Sequence, residues 1–103
     1  MATNHKEAKE ELKRILVVDD EPNINDLIST SLKFSGFEVR SAMNGAQALT
    51  VAEEFKPHAL VLDVMMPGMN GYEVLEIIRN SKETCLIPVI LLTSLKGVNE
   101  KIK

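Results

Sequence analysis

Acidic side chains follow directly after apolar runs at two places in the sequence. The run Ile15–Val18 leads into Asp19 and Asp20, and the run Leu60–Leu62 leads into Asp63. Carboxylate oxygens are suitable ligands for hard cations such as Mg2+, and an Asp carboxylate can attack phosphorus to form an aspartyl phosphate. If the fold brings these acids together, the residue types predict cation-assisted phosphoryl chemistry.

The elements that would position these acids form an alternating pattern. Short apolar or alternating runs at residues 15–18, 37–42, 60–62 and 89–92 predict four strands. Between them, apolar residues at helical spacing predict three helices, and residues 97–103 could begin a fourth. Strands that are apolar throughout and alternate with helices are typical of a parallel sheet covered by helices on both faces.

The predicted helices are located by their start signals and their apolar faces. Pro22 suits the first position of the first helix, Asn44 is a candidate N-cap for the second, and the third follows Gly71. The predicted core-facing residues are Ile24, Leu27, Ile28 and Leu32 in the first helix, Ala48, Leu49, Ala52 and Phe55 in the second, and Val74, Leu75, Ile77 and Ile78 in the third.

The carboxyl ends of parallel strands meet at one edge of a sheet, where ligands bind in open α/β folds. If the third strand lies beside the first, Asp19, Asp20 and Asp63 converge on one shallow pocket. Thr93 follows the fourth apolar run and would lie at the rim of that pocket.

Three carboxylates gathered in one pocket repel one another. At about 5 Å and an effective dielectric constant near 20, each pair costs roughly 3 kcal/mol. Protons or a cation must relieve this cost in a domain of ordinary stability. Because the ligands are oxygens only, with no imidazole or thiolate, the predicted ion is Mg2+, which retains several waters and needs only one or two carboxylates.

Composition excludes several classes of function. The net charge of −3 is a poor basis for binding nucleic acid, and no apolar stretch is long enough to span a membrane. A single cysteine, Cys85, is consistent with a reducing cytoplasm. Residues 1–14 are charged and lack an apolar run, so they are interpreted as a leader preceding a domain at residues 15–103.

Three segments, residues 15–21 (ILVVDDE), 60–71 (LVLDVMMPGMNG) and 88–94 (PVILLTS), resemble the receiver domain of two-component response regulators. Taken in this order and spacing they are highly specific, and the resemblance covers residues 15–103. It implies a flavodoxin-like, doubly wound parallel sheet. It also implies a cytoplasmic signalling domain, not an enzyme, that receives a phosphoryl group from a sensor histidine kinase or a phosphotransfer protein.

The resemblance implies a role for each site residue. Asp63 would be the phosphoacceptor, Asp20 a direct Mg2+ ligand and Asp19 a ligand through water. The backbone carbonyl of Met65 would be a further ligand. Thr93 would be the hydroxyl that reorients on phosphorylation.

The family pattern continues beyond the end of this sequence. Receiver domains carry a lysine at the end of a fifth strand, followed by a last helix, whereas the sequence stops at Lys103. We therefore expect the last β-α unit to be missing and the fourth strand, Val89–Leu92, to form a sheet edge. An apolar edge strand without charge invites pairing, so we expect a homodimer or an exchange of segments through this edge.

Three alternatives were weighed against phosphoryl acceptance. A phosphatase of the haloacid-dehalogenase type needs a second Asp two residues after the first, where this sequence has Met65. A nucleotide-binding module would need a glycine-rich loop after the first strand, where this sequence has Asp19-Asp20-Glu21-Pro22. A receiver-like interaction module that is never phosphorylated stays open, because the lysine is missing.

Overall fold

The structure is a computed structural model that describes residues 12–66 and 69–92. Its strands are β1 (Arg14–Val18), β2 (Glu38–Ala42), β3 (Ala59–Asp63), β4 (Met65–Met66), β5 (Met69–Asn70) and β6 (Val89–Leu92). Its helices are α1 (Pro22–Phe34), α2 (Gly45–Phe55) and α3 (Gly71–Asn80). Most of the predicted leader, Thr93 and the possible fourth helix lie outside the described residues.

The main sheet has four parallel strands in the order β2-β1-β3-β6. The central strands β1 and β3 pair in register from Ile15 with Ala59 to Val18 with Leu62. The third apolar run of the sequence therefore lies beside the first, which is the condition that the predicted pocket required.

Apolar side chains pack on both faces of the sheet. On one face, the core includes Leu16, Val18, Leu60 and Leu62 from the central strands, packed against α2 and α3 through Ala48, Ala52, Val74 and Ile78. On the other face, Ile15, Val17, Val39 and Val61 contact Ile28 and Leu32 of α1. The predicted sheet with helices on both faces is confirmed.

The start signals of the first two predicted helices are confirmed. Pro22 is the first residue of α1, where its missing N–H costs no hydrogen bond. The Asn44 side chain accepts a 2.9 Å hydrogen bond from the Gln47 N–H and so caps α2. This helix ends at Phe55, and the next residue, Lys56, has a φ of 52° in the left-handed region.

Two predicted core positions were wrong. Leu27 of α1 is 67% exposed and Ile77 of α3 is 41% exposed. In α1 the buried positions are occupied instead by Asn25 and Ser29, which are 4% and 7% exposed. The helix turns these polar residues inward, because the Asn25 amide donates to backbone carbonyls at the strand ends and the Ser29 hydroxyl donates to the Asn25 Oδ1.

The segment that directly follows β3 forms further regular structure. Met65 pairs with Asn70 and Met66 with Met69 as a two-stranded antiparallel ribbon, β4 and β5. Helix α3 then begins at Gly71 without further linker. The chain thus folds back on itself immediately beyond Asp63.

Strand β6 is the last strand of the sheet within the described residues. Its residues Ile90 and Leu91 are 54% and 41% exposed, although the strand carries no charge. Because neighbouring strand residues point to opposite faces, apolar surface is exposed on both sides of this edge.

Candidate functional site

Two aspartates lie side by side at the carboxyl edge of the sheet. Asp63 is the last residue of β3, and Asp19 directly follows Val18, whose partner in β3 is Leu62. The register therefore places Asp19 opposite Asp63, on strands about 4.8 Å apart. Both residues are almost fully buried, at 1% and 2% exposure. This backbone register is the one that the predicted juxtaposition of the two acids requires.

The Asp19 carboxylate is tied to the start of α1. Its Oδ1 accepts a 2.9 Å hydrogen bond from the Glu21 N–H, and its own N–H donates to the Ala42 carbonyl at 3.1 Å. A carboxylate that bonds the N–H two residues later forms a tight turn. This turn directs the chain from β1 into α1 across the top of the sheet.

Asp20 occupies the bend between β1 and α1 and is half-buried. Its Oδ1 is buried and has no hydrogen-bond partner among the described residues. A buried carboxylate oxygen without a partner is costly, so it needs a donor, a water or a cation. This oxygen is the clearest structural indication of a ligand position in the site.

Asn25 is a site residue that the sequence analysis missed. Its side-chain Nδ2 donates to the Asp19 carbonyl at 2.9 Å and to the Ala42 carbonyl at 3.1 Å. Asn25 therefore joins the ends of β1 and β2 beneath the acidic loop. Helical spacing could have revealed it, because Asn25 shares a face with the core residues Ile28 and Leu32.

Gly71 brings the start of α3 against the backbone that follows Asp63. A Cβ at this position would lie 2.6 Å from the Asp63 carbonyl oxygen and would overlap the Cα of Val64. The Gly71 N–H donates to the Val64 carbonyl at 3.4 Å. Glycine is thus needed for close approach here.

The two remaining predicted site residues are only partly covered by the structure. Met65 is the first residue of β4, two residues beyond Asp63, and only its backbone is described. Thr93 lies outside the described residues. Leu92, the residue before it, pairs with Asp63 in the sheet.

The donors at this edge of the sheet determine which kind of cation fits. Across the described residues, no three histidine, cysteine or acidic side chains are grouped so that they could enclose a metal ion. A partly hydrated Mg2+ needs only one or two carboxylates, and the buried Oδ1 of Asp20 offers one such donor. The residues present therefore fit a hydrated hard cation better than a fully enclosed metal.

Comparison with known protein families gives a match over most of the chain. Residues 15–103 match the family model described as the response regulator receiver domain. The chain belongs to this family. The resemblance carried by the three sequence segments, and the receiver fold that it implies, are thereby confirmed.

Curated relatives of this receiver domain include full-length regulators. The DNA-binding dual master transcriptional regulator RpaA of Synechocystis is 36% identical over 92 residues, which cover 89% of this chain and 38% of RpaA. The DNA-binding response regulator MtrA of Mycolicibacterium smegmatis is 38% identical over 82 residues, covering 80% and 35% of the two chains. This chain thus spans just over a third of these relatives' length.

Solved structures show the same fold. The N-terminal domain of a response regulator receiver protein from Methanoculleus marisnigri has a TM-score of 0.75 and 37% identity, covering 87% of this chain and 76% of that one. The chemotaxis response regulator CheY4 of Vibrio cholerae has a TM-score of 0.72 and 29% identity, covering 87% and 78%.

These findings establish the functional class. The chain is a receiver domain of two-component signal transduction, a signalling domain homologous to response regulators that are phosphorylated. Receiver domains generally depend on Mg2+ and receive phosphoryl groups from histidine kinases. Within its described residues, no helix is long and apolar enough to cross a bilayer.

Proposed function

We propose that Asp63 of this receiver domain accepts a phosphoryl group from a histidine kinase in a Mg2+-dependent reaction. The observation that supports this most is that Val18 pairs with Leu62 at the carboxyl edge of the sheet, and that the next residue on each strand, Asp19 and Asp63, is almost fully buried. The proposal includes a domain at residues 15–103 that follows a charged leader at residues 1–14.

The transfer is a nucleophilic displacement at phosphorus. A carboxylate oxygen of Asp63 attacks the phosphorus, an O–P bond forms, and the N–P bond to the donor histidine breaks. The electron pair of that bond leaves with the imidazole nitrogen. The product is an aspartyl phosphate on a buried strand end, where the low exposure of Asp63 limits access of water.

Mg2+ would be held by Asp20 directly, by Asp19 through water, by Asp63 and by the backbone carbonyl of Met65. When bound, it supplies positive charge that offsets the charge of the carboxylates and of the incoming phosphoryl group. Asp20 contributes a buried oxygen that no described residue satisfies. Asp19 is held in place by the Glu21 N–H.

Thr93 is proposed as the switch residue. It directly follows Leu92, the partner of Asp63 in β6. A bond from this hydroxyl to the phosphoryl group would transmit the new charge to β6. The domain acts as a switch and not as an enzyme with an external substrate.

The test is incubation of the chain with Mg2+ and acetyl phosphate, followed by mass spectrometry of the intact protein. We expect the mass of one phosphoryl group to be added to the natural chain and not to Asp63→Asn, because the amide is not a nucleophile toward phosphorus. Asp26→Asn removes an exposed carboxylate of α1 and serves as the matched control. It should gain the phosphoryl group normally.

Two results would contradict the proposal. Phosphorylation that persists in Asp63→Asn would place the acceptor elsewhere. A natural chain that stays folded and gains no mass at saturating Mg2+ would support the alternative, a receiver-like interaction module that is not phosphorylated.

The partners follow from this chemistry and from the relatives. We propose a sensor histidine kinase or phosphotransfer protein as the donor, in the cytoplasm, where a single cysteine stays reduced. RpaA and MtrA are named as DNA-binding proteins. With a net charge of −3, this domain is proposed to control such an output without contacting nucleic acid itself.

A further inference from the structure

We propose that Asn25 is a positioning residue that sets the Mg2+ affinity of the acidic site, although it does not contact the ion. It would do so by fixing the peptide unit between Asp19 and Asp20. This inference rests on the proposed Mg2+-dependent function, and it assigns a role to a side chain outside the predicted ligand set.

The first support is the bonding of the Asn25 amide. Its Nδ2 donates to the carbonyl oxygens of Asp19 and Ala42, at 2.9 and 3.1 Å. Its Oδ1 accepts from the Ser29 hydroxyl at 3.2 Å. An amide NH2 group has two donors, and both are used on carbonyl acceptors, so the orientation of the amide is determined by its surroundings.

The second support is the position of the bonded carbonyl. The Asp19 carbonyl belongs to the peptide unit that joins Asp19 to Asp20, so a bond to it restrains the backbone direction at Asp20. Asp20 carries the buried Oδ1 that has no hydrogen-bond partner among the described residues. The direction of that oxygen therefore depends on a carbonyl that Asn25 holds.

The third support is the link to the neighbouring strand. The Ala42 carbonyl accepts from both the Asp19 N–H, at 3.1 Å, and the Asn25 amide. Because Asn25 is only 4% exposed, water can hardly replace its two donated bonds. Removing the amide would eliminate one of the hydrogen bonds that tie the acidic loop to the end of β2.

We expect the loss of the Asn25 amide to change the affinity for Mg2+ and not only the stability of the fold. Groups that orient metal ligands typically change metal affinity by about 10- to 100-fold when they are removed. We expect Asn25→Ala and the nearly isosteric Asn25→Leu to raise the Mg2+ dissociation constant by about 10-fold or more.

The experiment is a calorimetric titration of the 103-residue chain with Mg2+, with circular dichroism as the check of folding. Sucrose is added to every sample, because it favours the folded state and keeps weakened variants measurable. Asn23→Ala is the matched control, since it makes the same change at an exposed position two residues earlier in α1. Its Mg2+ affinity should equal that of the natural chain.

A second readout separates positioning from stability. The Mg2+ concentration that gives half-maximal phosphorylation by acetyl phosphate should rise in the Asn25 variants, whereas the rate at saturating Mg2+ should change little. Folded Asn25 variants with the natural Mg2+ affinity would overturn the inference and leave Asn25 a purely structural residue. If the natural chain itself bound no Mg2+, the proposed function would fail instead.

Discussion

At the scale of single residues, the site places buried carboxylates at the edge of an apolar sheet. Asp19 and Asp63 are 1% and 2% exposed, at the ends of strands whose other residues form the core. Two carboxylates about 5 Å apart repel by roughly 3 kcal/mol at an effective dielectric constant near 20. This repulsion favours the binding of a cation at the site. It also makes the geometry of the site sensitive to small changes in neighbouring residues.

Gly71 offers the sharpest test of that sensitivity. Gly71→Ala would place a methyl group against the backbone of Asp63 and Val64, so the start of α3 or the end of β3 must move. We expect a loss of about 1–3 kcal/mol in the free energy of unfolding, measured by urea denaturation. Phosphorylation by acetyl phosphate should slow as well, because the displaced backbone carries Asp63.

Gly36→Ala is the comparison variant. Gly36 has a φ of 102° and open space around its Cβ position, so alanine there meets backbone strain but no clash. Gly36→Ala should lower the free energy of unfolding by about 1–2 kcal/mol while leaving phosphorylation unchanged. If Gly71→Ala were as stable and as active as the natural chain, the close packing of α3 on the site would be refuted.

At the scale of elements, β1 holds the end of α2 through its first residue. The Arg14 Nε donates to the carbonyls of Phe55 and Lys56 at 2.9 and 3.0 Å, and its Nη2 donates to Lys56 at 2.8 Å. A cation at the C-terminus of a helix satisfies its last carbonyls and complements its dipole. Strand and helix are thus joined at the opposite end of the sheet from the acids.

Arg14→Met should therefore destabilise the domain while sparing its chemistry. We expect a loss of about 1–2 kcal/mol in thermal or urea unfolding, since charge-assisted hydrogen bonds to the helix end are removed. Arg14→Lys should retain only part of this stability, because the lysine ammonium cannot reproduce the planar set of N–H donors of the arginine guanidinium. Lys13→Met, at an exposed neighbouring position, should be nearly neutral; an equal loss there would argue against the helix-capping role.

At the scale of the whole molecule, the two edges of the sheet differ. The outer strand β2 exposes Glu38 and Arg40, and charged residues discourage pairing at an edge. Strand β6 has no charge and exposes Ile90 and Leu91. The predicted homodimer or segment exchange through β6 remains a prediction, and this contrast between the edges supports it.

Ile90→Lys tests the edge directly. A charge in the middle of β6 should shift the chain toward the monomer at concentrations where the natural chain associates, because pairing would bury the ammonium. Sedimentation velocity over a range of concentrations measures the shift. Leu27→Lys changes an exposed leucine of α1, outside the sheet, and should leave association unaltered. A natural chain that is monomeric at all concentrations would refute the prediction.

The sequence alone determined that the domain is a parallel sheet covered by helices, and at which edge of the sheet its acids lie. Uninterrupted apolar runs can be buried only inside a sheet covered on both faces, and parallel strands must bring their carboxyl ends together. Asp19, Asp20 and Asp63 could therefore be assigned to one edge before any coordinates were considered. The family resemblance added the roles of Met65 and Thr93.

Only the tertiary structure decided which polar residues support that edge. Spacing favoured Leu27 as a core residue, yet Leu27 is exposed and Asn25 is buried. The physical reason is that the strand ends present backbone carbonyls that must be satisfied, and a helix packed over them is rotated to bring in donors. Likewise, the need for glycine at position 71 arises from how closely α3 approaches the backbone after Asp63, a distance that no local pattern encodes.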